Sequence, residues 1–285
     1  MPAIHKAYAN DFDLIYPLLL EFDNPLLNKQ DWRALFAPHW DAPQDHFGYY
    51  IEEDGRAVGF LGTVFSRRTI NGQPQNFCNM TTWVVKEEYR GMSLMLLFEL
   101  LKLKGCTITN FTAYHVAGML RKAGFKDLAA QVKVFPPLPN PAVLWSGLRV
   151  IIAPEQITGR LQGGLMDIHC HHAPLKCQQT LLEKGSEQCL VIFDVVRRKR
   201  LPVARVHFIS NPAFFARHAG QFLLSFCIKN RVTALFAPEN LLKGHTSRWA
   251  FSIPQRQTQL YKSADLTAND IDALYSELQI LGLKN

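Results

Sequence analysis

Residues Trp83–Gly105 read WVVKEEYRGMSLMLLFELLKLKG. The stretch opens with β-branched and aromatic residues that favour a pleated strand. It closes with a leucine-rich run that predicts a helix over Ser93–Lys104, stopped by Gly105. The seam between them, Lys86–Gly91, feeds a strand into a helix N-terminus. Such a terminus carries unpaired N–H groups and the positive end of the macrodipole, which together suit an anion. Gly91 lets backbone approach a phosphate with no Cβ in the way, and Arg90 adds a fixed positive charge. The seam therefore suits a diphosphate. The same residues also make an ordinary strand–helix turn, and local physics alone does not separate the two.

Upstream, Tyr49–Glu53 and Ala57–Phe65 flank Asp54-Gly55, and Arg67–Ile70 and Asn76–Val85 flank Asn71-Gly72. Both pairs are hairpin-turn chemistry, so consecutive antiparallel strands lead into the seam. Ahead of them lie a strand over Ala3–Ala7 and a helix beginning near Asp11, with Phe12, Leu14, Ile15, Leu18 and Leu19 at helical spacing. A second helix over Lys29–Phe36 follows Asn28. Downstream, Thr107–Phe111 reads as a strand, Val116–Ala123 as a helix ended by Gly124, and Gln131–Phe135 as a strand.

Pro136, Pro137, Pro139 and Pro141 then crowd together as a stiff connection. The expected domains are 1–140 and 148–285, in line with about 100–200 residues per domain. The second half repeats the middle of the first: strands Cys189–Val196 and Val203–Ser210, a helix from Asn211-Pro212 to about Lys229, and a strand over Val232–Ala237. Thr267 and Asp270 form a capping-box pattern ahead of Ile271, Leu274, Leu278 and Leu281, which predicts a closing amphipathic helix.

Four segments in order resemble the GNAT N-acetyltransferase superfamily. They are His5–Phe22, Gly48–Phe65, the Glu88-Tyr89-Arg90 seam, and Ala117–Leu128 with its Lys-x-Gly-Phe-like turn AGMLRKAGFKDL. The resemblance spans residues 3–135 and returns more faintly over about 150–285. It implies an α/β fold of two GNAT-like units, each with a mixed, largely antiparallel sheet flanked by helices. It also implies acetyl-CoA as cosubstrate and a small-molecule amine as acceptor. By the resemblance, Arg90, Gly91, Met92 and Ser93 hold the diphosphate, and Thr82, Trp83 and Val84 meet the pantetheine arm along a splayed strand. A strand N–H would then hold the developing oxyanion.

The sequence departs from the family pattern at telling places. The two loop glycines fall on Ser93 and Met95, and a methionine side chain stands where backbone should approach ligand. The usual acidic base falls at Asn79–Thr81, where there is no carboxylate. The usual tyrosine acid falls on Leu120 and the helix-starting asparagine on Ala113. His115 and Tyr114, just past the fifth strand, are the substitute candidates for proton transfer. A catalytically inactive GNAT-like module for ligand sensing or protein interaction is the alternative from another class.

Other constellations carry less. Asp167–His172 (DIHCHH) has metal-ligand chemistry, but too little chain follows it for a barrel of ~250 residues, and no second Cys or His pair has ligand spacing. No metal is assigned. Arg197-Arg198-Lys199-Arg200 reads as a hairpin turn without aromatic interleaving, so nucleic acid is not expected. The net charge of +7 suits an anionic ligand but does not select one. No run approaches the ~18–20 apolar residues of a membrane span, and the N-terminus lacks a signal-peptide core. A cytoplasmic location with six reduced cysteines is expected. Acceptor identity and oligomeric state are left open.

Overall fold

A computed structural model describes residues 1–112, 115–138, 140–141 and 146–283. The first half runs β1 (Ala3–Lys6), α1 (Phe12–Leu19), α2 (Lys29–Arg33), β2 (Gly48–Glu53), β3 (Arg56–Ile70), β4 (Gln73–Val85), α3 (Ser93–Leu101), β5 (Cys106–Asn110), α4 (Ala117–Lys122) and β6 (Lys126–Asp127). The remainder runs β7 (Gln131–Phe135), β8 (Arg149–Ile151), α5 (Pro154–Thr158), α6 (Gly164–His172), β9 (Gln178–Lys184), β10 (Glu187–Arg198), β11 (Leu201–Ile209), α7 (Pro212–Asn230), β12 (Leu235–Pro238), β13 (Phe251–Pro254), β14 (Leu260–Lys262) and α8 (Glu277–Leu281). These elements build two α/β units, each a mixed, largely antiparallel sheet flanked by helices.

The first unit comprises Met1–Lys126, Thr258–Asp265 and Tyr275–Leu281. Its sheet order is β1-β2-β3-β4-β5-β14-β6. The hairpins turn where Asp-Gly and Asn-Gly place two residues at positive φ, Asp54 and Gly55, then Asn71 and Gly72. The two apolar pieces expected over Ala57–Phe65 and Arg67–Ile70 are one continuous strand, because β3 pairs with β4 in register as far as Ile70 and Gln73. Its faces are both covered. Leu61, Phe65, Cys78 and Met80 pack with Leu96, Leu97 and Leu100 of α3, while Phe60 stacks on Phe36, which meets Phe12 of α1 edge-on. Each such side chain contributes about 1.5–3 kcal/mol by leaving water.

α2 begins as expected, with the Asn28 side chain accepting from the amides of Gln30 and Asp31. α3 is shorter than expected and ends at Leu101, and the seam before it, Glu87–Met92, is a 3-10 helix rather than an open loop. β5 pairs with β4 in parallel and with β14 in antiparallel register. β14 comes from late in the chain and stands between β5 and β6.

The second unit comprises Asp127–Gln257, Leu266–Leu274 and Gly282–Asn285. Its sheet order is β13-β7-β12-β11-β10-β9-β8, with only β11–β12 parallel. β7, the strand expected over Gln131–Phe135, pairs here with β12 and β13. α7 starts as expected: Asn211 caps the amide of Phe214, and Pro212 occupies the first turn. Its phenylalanines 214, 215, 222 and 226 pack on Val191, Phe193, Ala204 and Val206 of β10 and β11.

The closing amphipathic helix expected from Thr267 is not one helix. The Thr267–Asp270 capping box closes a single 3-10 turn. The backbone extends at Ile271, the amide of Ala273 bonds the carbonyl of His207, and Tyr275 adopts positive φ. Helix resumes only at α8. Tertiary hydrogen bonds override the local periodicity here. No helix among the described residues is long and apolar enough to cross a membrane.

Candidate functional site

β4 and β5 pair in parallel only from Asn76↔Cys106 to Asn79↔Thr109, yet β4 continues to Val85. β5 itself ends at Asn110, so β4 runs on past its end. Within that stretch the β3–β4 register shifts: Gly62 faces Thr81 and Leu61 faces Trp83, leaving Thr82 as the extra residue of a bulge. A bulge bends its strand and increases local twist. Gly62 is what allows it: a Cβ there would stand 2.4 Å from Thr82 Oγ1 and 2.9 Å from Thr81 Cγ2. Thr82, Trp83 and Val84, expected along the pantetheine arm, lie on the stretch of β4 beyond the end of β5 and are half-buried. Thr82 Oγ1 and Trp83 Nε1 are buried and have no hydrogen-bond partner among the described residues.

Where the β4–β5 pairing stops sits a carboxylate that sequence reasoning missed. Glu277, in the first turn of α8, is 1% exposed. Asn79 Nδ2 donates to Glu277 Oε2, and Thr112 Oγ1 donates to Glu277 Oε1 at 3.3 Å. Thr109 Oγ1 donates to Asn79 Oδ1 at 3.1 Å, which fixes the amide with its NH2 toward the carboxylate. Two donors therefore converge on one buried carboxylate. The expected apolar stripe of Ile271, Leu274, Leu278 and Leu281 did not include Glu277. The one hint in the sequence was negative, the lack of an acid at Asn79–Thr81.

The seam residues stand as follows. Arg90 is exposed, with a guanidinium nitrogen 3.4 Å from Glu87 Oε1. A pair so open is worth at most about 1 kcal/mol, so an anion could redirect Arg90 at little cost. A Cβ on Gly91 would meet nothing within 4 Å, so the chain's own packing does not require glycine there. The amide of Ser93 is already bonded to the carbonyl of Arg90. Met92 is the N-cap of α3, and Met95 is 45% exposed on its outer face. Glu87 and Glu88 are exposed on the same turn and oppose a diphosphate. His115 is exposed on the turn ahead of α4. Tyr114, like Ala113, lies outside the described residues.

The second unit holds a different polar cluster. Arg205 donates from Nε to Asp194 Oδ1 at 3.0 Å, from a terminal nitrogen to Oδ2 at 2.5 Å, and to the carbonyl of Leu283. His207 Nε2 lies 3.3 Å from Asp194 Oδ1. Burial pushes the Asp194 carboxyl up, but His207 and Arg205 outweigh it and bring it down to about 2. The Asp167–His172 run lies on α6. There His169 bonds Gln179 and Thr158, and His172 bonds the carbonyl of Ile168. The basic turn joins β10 to β11 with Lys199 and Arg200 at positive φ, and Arg198 lies over Phe236.

No family model and no curated protein matches the sequence. Solved structures do match across nearly the whole chain. A GCN5-related N-acetyltransferase from Anabaena variabilis ATCC 29413 is 14% identical with TM-score 0.56, covering 92% of this chain and 72% of that one. A GCN5-related N-acetyltransferase from Kribbella flavida is 14% identical with TM-score 0.58, covering 94% and 72%. Eis1 from Mycobacterium abscessus is 12% identical with TM-score 0.51, covering 92% and 74%. The chain therefore carries the fold of the GNAT acetyltransferases.

Proposed function

We propose that the protein transfers an acetyl group from acetyl-CoA to the amine of a small molecule, with the chemistry in the first unit. The observation that carries this reading is the stretch of β4 that runs beyond the end of β5, with a buried carboxylate where the pairing stops. Arg90, with the amides of Gly91, Met92 and Ser93, would receive the diphosphate. The backbone of Thr82–Val84 would meet the pantetheine and hold the oxyanion, in a site that already has its dipoles in place.

Glu277 takes the role that a β4 acid would otherwise fill. It accepts a proton from the incoming ammonium, so that nitrogen presents a lone pair. Nitrogen then bonds to the thioester carbon, the C–S bond breaks, and the second amine proton leaves with the thiolate sulfur. His115 and Tyr114 are the second candidates for these proton transfers.

One observation favours the non-catalytic alternative. The seam is wound as a 3-10 helix, and the Ser93 amide is spent on Arg90. Titration calorimetry with CoA and acetyl-CoA, paired with thiol release across amines, decides between them. The transferase reading expects acetyl-CoA binding weakened at least tenfold by Arg90→Glu, and thiol release that depends on amine. Binding without release selects the sensing module. No binding removes both coenzyme readings.

A further inference from the structure

The first unit holds a partly open, mostly apolar pocket of about 160 Å³. Its walls include Trp40, Phe47, Val64 and Ile280, with Asp45 and His46 among its polar residues. Three relations tie it to Glu277. Val64 pairs across the sheet with Asn79, the residue that holds the carboxylate, and directly paired residues project from the same face. Ile280 lies three residues beyond Glu277 in α8, so the two are neighbours along that helix. Trp40 meets Tyr275 edge-on at 4.9 Å and donates its Nε1–H to the carbonyl of Phe65 at 2.7 Å. The cavity thus lies between the stretch that carries Trp40 and the stretch that carries Glu277.

We propose that this cavity is the acceptor's side-chain pocket and selects an arylalkylamine, a benzene-sized ring tethered to a primary amine. The assignment rests on the transferase reading above for what happens to the amine, but not for the binding itself. Volume sets the ring size: an apolar cavity of ~150 Å³ takes up benzene, so one six-membered ring fits. The aromatic walls suit a ring by edge-to-face contact. The tether follows from the register. Paired residues such as Val64 and Asn79 stand about 5 Å apart, the reach of a two-carbon link between a ring centre and its nitrogen. The ammonium then lies against the Glu277 carboxylate, which both anchors it and takes its proton.

The test is calorimetric titration of the full chain with 2-phenylethylamine, 2-phenylethanol and butylamine, followed by the same ligands on variants. The expectation is 2-phenylethylamine at least tenfold tighter than butylamine. Val64→Phe fills the cavity and should remove at least tenfold of that affinity. Ile280→Ala widens it and should turn preference toward 2-(1-naphthyl)ethylamine, a gain that damage to the fold does not produce. Glu277→Gln should weaken the amine at least fivefold and leave the alcohol unchanged. Butylamine binding as well as 2-phenylethylamine, or Val64→Phe without effect, overturns the pocket. Acetyl transfer to amines regardless of ring would overturn the pocket and keep the transferase. Ring-selective binding with no transfer would uphold the pocket and remove the transferase.

Discussion

Replacing Glu277 separates its chemical role from its structural one. In Glu277→Gln the side chain keeps its shape, and a turn of the amide keeps both hydrogen bonds. Asn79 Nδ2 then donates to the new carbonyl oxygen, and the new NH2 donates to Thr112 Oγ1, whose hydroxyl can accept as well as donate. Stability should change by less than about 1 kcal/mol. The carboxylate is gone, so general-base catalysis should fall by about 10²–10⁴ in kcat. Glu277→Ala has a different signature. It leaves the Asn79 amide, 2% exposed, without its acceptor, which costs about 1–3 kcal/mol and lowers Tm by roughly 2–10 °C. Stopped-assay thiol release against the best amine, beside thermal unfolding of each variant, reads both quantities. Glu277→Gln with kcat within threefold of the parent would refute the reasoning. The carboxylate would then be a packing element of α8, and His115→Ala becomes the decisive variant.

Three further outcomes follow from the same structure. Gly62→Ala drives a Cβ to 2.4 Å from Thr82 Oγ1; it should cost about 1–3 kcal/mol by overpacking and weaken acetyl-CoA binding, and denaturant unfolding with calorimetry that finds neither change removes the bulge from the argument. His46 is 1% exposed, and burial and the Lys6 charge lower its pKa to about 4 from an ordinary 6.5. The unfolded chain therefore takes up that proton first, so stability falls as pH drops from about 6.5 to about 4, by on the order of 1–3 kcal/mol, a slope that His46→Phe should flatten in urea titrations across that range. Asp194→Asn strips the partly exposed Arg205 of its buried counter-charge and should cost about 1–3 kcal/mol; because the Asp194 carboxyl is lowered to about 2, the parent loses this contribution only as pH falls from near 4 through 2, and a variant as stable as the parent at pH 7 would show that the pair adds nothing.

The sequence by itself determined the local pieces. Asp54-Gly55 and Asn71-Gly72 dictate hairpins because only such pairs take positive φ twice at low cost. Asn28 and Asn211 mark helix starts because their side chains satisfy amides that the helix cannot. The Trp83–Gly105 stretch declared a strand feeding a helix, and with it the α/β order of the first half. What only the tertiary structure decided is who meets whom. Gln131–Phe135 reads as a strand in either sheet, since periodicity records burial and not partners. The bend of β4 at Thr82 depends on a bulge, and a bulge is a mismatch of register between two strands that neither strand's sequence displays. Glu277 drew no reading in the sequence, and in the fold it is buried with Asn79, nearly two hundred positions earlier, as its donor. A contact between residues so far apart leaves no local periodic trace, so the carboxylate that the first half lacks became legible only when the chain folded back to supply it.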